Sequence, residues 1–150
     1  MRYEMDNTKY DMLLKIIKFF KKKTNFEFPD YGTQNFHDIV SKEDPDLIFK
    51  LLINRKGHVR ENSLSYQMSS LKFGPIVRLD MTGPAHDSKD GFLIETPHVH
   101  IFDERHNNGR WAIPLSEIND EKIINVLHDS LIIFLLYNNV DTTNVNFPII

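Results

Sequence analysis

At 150 residues the chain has the length of one domain built on one hydrophobic core. With 41% apolar and 26% charged side chains and only 6 Gly and 7 Pro, it is of globular rather than disordered or fibrous composition. The absence of cysteine excludes disulfides, thiolate metal sites and a cysteine nucleophile, and a net charge of −3 argues against a general grip on nucleic acid.

The first element expected is an amphipathic helix from Asp6 to Lys23. Tyr10, Leu13, Leu14, Ile17 and Phe20 recur on one face, and Asp11, Lys15, Lys18 and Lys22 form a solvated stripe opposite. After Thr24 the period changes to two. Phe26 and Phe28, then Phe36, Asp38 and Val40, then Leu47, Phe49, Leu51 and Ile53 predict strands, followed by a weaker one from Arg60 to Ser69. Ile76 to Met81 predicts a further strand, with Val77, Leu79 and Met81 on one face and Ile76, Arg78 and Asp80 on the other. Thr82-Gly83-Pro84 ends it, and the polar stretch Gly83 to Gly91 reads as a turn or a lid.

Asn108-Gly109 suits a two-residue hairpin turn between strands His98–Glu104 and Arg110–Leu115, because both positions accept positive φ. That register sets His106 opposite Trp111 and Phe102 opposite Leu115. A last helix is expected from Asn119 or Asp120, with Glu121 in its first turn, to Tyr137. His128 falls on its apolar stripe and is expected in the core, as is Trp111. The tail ending in Phe147 and residues 148–150 is expected to add an edge strand. The fold class expected is α+β: a single domain over residues 1–150 with an antiparallel sheet of about five to seven strands, an N-terminal helix and a C-terminal helix. No leader or membrane-spanning pattern is legible, so a cytosolic setting without membrane partners is expected.

Chemistry concentrates between residues 86 and 106, where four of the 7 histidines fall. His98 and His100, two apart on a strand, project on the same face and can hold one metal ion or one phosphate between them. The metal-free alternative makes His98 or His100 a general acid or base, with Arg78 stabilising a phosphoryl oxyanion and Asp80 or His86 orienting a ring. The structural alternative leaves these histidines as satisfied core or rim residues. His98, His100 and Glu104 match part of the cupin metal motif. The alternation from His98 to Phe102 resembles the histidine-triad nucleotide hydrolases, with Phe102 in place of the third histidine.

A wider resemblance rests on Val77-Arg78-Leu79-Asp80, Gly83-Pro84, His86, Pro97-His98-Val99-His100-Ile101, Gly109 and Trp111-Ala112-Ile113-Pro114-Leu115. This set is similar to an uncharacterised family of small proteins from prophages and low-GC Gram-positive bacteria. The resemblance implies a mobile-element context. Two classes follow as expectations. One is a toxin-like or defence-related enzyme acting on RNA or nucleotides through His98, His100, His86, Arg78 and Asp80. The other is an anti-CRISPR-like inhibitor that binds a host nuclease or another cognate protein. Cofactor and oligomeric state are left open by the sequence.

Overall fold

The computed structural model describes residues 5–57, 63–120 and 122–147. Arg60, Glu121 and the tail residues 148–150, which enter the expectations above, lie outside these. Helix α1 (Asn7–Lys15) precedes strands β1 (Lys18–Phe20), β2 (Thr24–Asn25), β3 (Gln34–Ser41), β4 (Ile48–Asn54), β5 (Ser65–Ser70) and β6 (Gly74–Asp80). A small hairpin, β7 (His86–Asp87) and β8 (Leu93–Ile94), leads to β9 (His98–Ile101) and β10 (Ala112–Pro114). Helix α2 (Val126–Tyr137) and the short strands β11 (Val140–Asp141) and β12 (Val145–Asn146) complete one α+β domain.

Eight strands form the main sheet in the order β10-β9-β6-β5-β4-β3-β1-β11, one more than the upper end of the expected range. Strand β1 comes from a segment expected as helix, and β11 is an edge strand supplied by the tail, as expected. They pair in parallel, whereas the other neighbours in the sheet are antiparallel. The pairing sets Asn54, Ser65, Asp80 and His98 in one row across the sheet, with Leu52, Gln67, Arg78 and His100 in the next. Antiparallel partners share a face, so both rows look out on one side. On the other side Leu51, Ile53, Tyr66, Met68, Val77, Leu79, Val99 and Ile101 are buried in a core with Tyr10 and Leu13 of α1 and Leu131 and Phe134 of α2. Tyr66 stacks on Phe134 at a centroid distance of 5.5 Å, which seats α2 against this inner face.

Several expectations change in physically instructive ways. The first helix stops at Lys15, because Ile16 is extended (φ −61, ψ 136) and the chain continues as β1. Lys18 is therefore fully buried rather than part of a solvated stripe. Its Nζ donates to the carbonyls of Leu14 (3.2 Å), Ile16 (3.2 Å) and Asn138 (2.7 Å), filling acceptors that the ends of α1 and α2 leave over. On β6 the register shifts between Met68 and Ser69 of its partner, so Ile76 is buried with Val77 instead of facing away from it.

The Asn108-Gly109 hairpin is replaced by a wider connection. Ala112 pairs with His100 and Pro114 with His98, so the strand pairing ends well before the turn residues. Asp103 is the cause: its carboxylate accepts from the backbone N–H of His106 (2.9 Å), from His106 Nδ1 (2.7 Å) and from Arg105 Nε (2.8 Å), winding residues 104–109 into helical turns. Asn107 and Asn108 still take positive φ. Helix α2 starts late, because Asn125 accepts from the His128 N–H (3.0 Å) and Asp129 accepts from the N–H groups of Ile124 and Asn125 (both 2.9 Å). The side chain of His128 is 43% exposed beside Asp129, and Trp111 is half-buried outside the core, so neither fills the place expected of it.

Candidate metal centre

Asp80 ends β6 and His98 opens β9, directly opposite each other, while Arg78 and His100 form the next pair. Alternation along both strands puts all four on the outer face. The stretch Gly83 to Gly91 becomes part of the β7–β8 hairpin, which folds back over this face and delivers His86. Ser88 holds its tip: its backbone N–H donates to the Phe92 carbonyl (2.7 Å) and its Oγ accepts from the Phe92 N–H (3.1 Å). The structure thus brings together all five residues singled out from sequence. Glu104 stands apart in the 103–110 connection, exposed, and Asp80 is the carboxylate that joins the histidines.

The geometry is that of a coordination shell. His86 Nδ1 lies 3.2 Å from His98 Nε2 and 3.0 Å from His100 Nε2, and the latter two atoms are 3.2 Å apart. Asp80 Oδ2 is 3.1 Å from His98 Nε2 and 3.3 Å from His100 Nε2. All four atoms lie within 4.8 Å of one another, and an ion just off the plane of the three nitrogens would stand about 2 Å from each, the bond length of zinc to imidazole nitrogen.

Outer contacts decide which nitrogens face inward. His98 Nδ1 donates to the Ile94 carbonyl (2.9 Å) and His100 Nδ1 donates to the Gly109 carbonyl (2.7 Å). A carbonyl only accepts, so these bonds place the proton on Nδ1 and leave Nε2 as a lone pair in each neutral ring. Arg78 grips Asp80 through Nε to Oδ1 (3.0 Å) and Nη2 to Oδ2 (3.3 Å). Converging lone pairs and a carboxylate oxygen repel one another unless a cation or a shared proton sits among them.

Charge on each group responds accordingly. Burial works against ionisation of Asp80, but in the ion-free protein a proton shared with Nε2 of His100 and of His98, together with the charge of Arg78, outweighs it and holds the carboxyl well below the usual range. His98 is raised: burial opposes its charge, but the Asp80 carboxylate and the Ile94 carbonyl prevail. His86 is lowered by burial and by the like charges of His100 and His98.

Beside Asp80 opens a cavity of ≈ 690 Å³ whose walls include Lys56, Arg78, Asp80 and Thr82. Sequence reasoning named the histidines, Arg78 and Asp80. It missed Lys56 and the Ile94 and Gly109 carbonyls, since a backbone acceptor leaves no mark in a residue pattern.

An α+β domain that converges three imidazoles and a carboxylate on one point, each supported by a further contact or a hairpin, is a candidate metal-binding protein. The chain belongs to a family of unknown function, DUF6978, whose model matches residues 5–140. Comparison with curated proteins and with solved structures returned no match. Among the described residues no helix is long and apolar enough to cross a membrane.

Proposed function

We propose that this domain is a mononuclear metal enzyme of the hydrolytic kind, with zinc as the ion that His86, His98, His100 and Asp80 would hold. The observation that carries the reading is the convergence of three imidazole nitrogens and a carboxylate oxygen within 4.8 Å of one another, with the tautomer of two of the rings set by backbone carbonyls. Imidazole-rich tetrahedral sets favour zinc over magnesium and calcium, which take oxygen ligands. When bound, such an ion acts as a Lewis acid on a substrate oxygen. Asp80 borders the cavity, so a substrate oxygen would reach the ion from that side, and Arg78 would steady the carboxylate as it does so.

The sequence resemblance to prophage proteins extends the proposal to a toxin-like or defence role against RNA or nucleotides. The test is to purify the full chain, measure its metal content, and assay RNA and nucleotide hydrolysis by the zinc-loaded protein beside the His98→Ala, His100→Ala double variant. Stoichiometric zinc with activity lost in the variant is expected. A folded wild type that takes up no zinc at micromolar concentration overturns the reading.

A second reading has its own observation. Four protein ligands close the shell, as in structural sites, and one of them comes from the hairpin. Here the ion would act only as a clasp. Zinc-bound, stable protein without hydrolytic activity on any phosphate ester tested would favour it.

A further inference from the structure

The cavity beside Asp80 lies along the row Asn54, Ser65 and Asp80, which are paired neighbours on β4, β5 and β6. Neighbouring strands are about 4.8 Å apart, so this row carries the cavity about 10 Å away from the metal ligand. Its charged lining is unbalanced. Among the described residues that line it, Lys56 and Arg78 are the cations and Asp80 the acid, which already accepts from Arg78 and lies against His98 and His100.

Arg78 spends two of its five N–H donors on Asp80 and its side chain remains 33% exposed. Thr82 Oγ1 accepts from the Leu64 N–H (3.0 Å), which leaves its hydroxyl proton to donate. In a chain of net charge −3, a concave site with two cations beside a candidate dication selects for an anion carrying several acceptor oxygens. The volume, ≈ 690 Å³, is in the range of sites for molecules of nucleotide size.

We infer that this cavity binds the phosphoryl group of a nucleotide or of an RNA strand, with phosphate oxygens held between Lys56 and Arg78 and one oxygen directed to the ion at Asp80. The inference rests on the metal reading and gives it a substrate class. Lys56 is the discriminating residue, because it lines the cavity without touching any metal ligand's hydrogen-bond network.

The experiment is calorimetric titration of the zinc-loaded full chain with adenosine monophosphate, adenosine and succinate, for the wild type and for Lys56→Ala. Zinc content and circular dichroism are measured on the same samples. Adenosine monophosphate should bind, adenosine should bind far more weakly, and Lys56→Ala should weaken the nucleotide by about tenfold at unchanged zinc content. Equal binding of nucleotide and nucleoside, no nucleotide binding, or an unaffected Lys56→Ala variant, each with full zinc, overturns the phosphate inference and leaves the metal reading standing. Succinate binding as tightly as the nucleotide overturns it in favour of a carboxylate site. A wild type devoid of zinc removes both. Should Lys56→Ala unfold, Lys56→Gln serves with the same expectation.

Discussion

Nδ1 of His100 donates to the backbone carbonyl of Gly109 at 2.7 Å, so a residue nine positions along the chain sets the tautomer of a ring that faces three other ligand atoms. Gly109 has φ +87, and a Cβ there would stand 2.4 Å from the Phe102 ring. Gly109→Ala must move either the ring or the carbonyl. Zinc affinity measured by chelator competition should fall by about tenfold or more. Adding Phe102→Ala removes the clash and should recover part of the loss, leaving the backbone cost of roughly 1 kcal/mol. Wild-type affinity in the single variant would refute the assignment.

Zinc should stabilise the fold. At a free concentration 1,000 times the dissociation constant, linkage gives about 4 kcal/mol, which raises the melting temperature by roughly 10 °C in a domain of this size. A chelator should reverse the shift. His98→Ala and His100→Ala should each abolish it, and thermal melts with and without zinc read the result directly.

Lys18 gives the protein a pH dependence unrelated to the metal. Burial pushes its pKa down from 10.5 to about 7. Between those values the unfolded chain holds a proton that the folded chain does not, so stability rises with pH across that window and levels off below about 7. Urea unfolding from about pH 7.5 to 9.5 should show a slope approaching 1.4 kcal/mol per pH unit from this group. Lys18→Met should remove that contribution, while lowering stability at the upper end because the two N–H donors of the neutral amine are lost to the carbonyls around it. A variant with the wild-type slope would show that Lys18 is charged in the fold throughout.

Tyr66 is fully buried, and its hydroxyl meets Ser130 Oγ (2.8 Å) and the Leu127 carbonyl (3.3 Å), tying the sheet to α2. Tyr66→Phe keeps the stacking on Phe134 and loses these bonds. A loss of about 1 kcal/mol in denaturant unfolding is expected, with zinc binding unchanged.

Where the sequence was legible, a single physical signal dominated. In β4 and β6 Phe49, Leu51, Ile53, Val77 and Leu79 fall on the core face because one face of the sheet is core and the other is not, and that period survives in the residues themselves. Strand β3 misleads: its core-side row is Asn35, His37, Ile39 and Ser41, while Phe36 faces out and is 52% exposed. The same rule put His98 with His100, and Arg78 with Asp80, each pair on one face of its own strand; the pairing of β6 with β9 is what joins them. The extent of α1 was overread because Lys18 counts as solvent-facing until the carbonyls of Leu14, Ile16 and Asn138 are known to surround it. Asn108-Gly109 advertised a tight hairpin, but the buried Asp103 carboxylate outbid it by capturing the following turn. His86 was named without its position being derivable, since its approach depends on the β7–β8 hairpin folding over the sheet.

All four ligand residues lie between positions 80 and 100, on β6, the hairpin and β9, which follow one another in the chain. The edge of the sheet, by contrast, requires Lys18 to find Val140. Closing a loop of about 20 residues costs roughly 1.6 kcal/mol less in chain entropy than closing one of more than 100. A metal ion meeting the unfolded chain therefore finds its whole ligand set within one short stretch. Under the metal reading it would template the β6–β9 pairing while the two termini are still far apart, and would act early in folding as well as in the finished site.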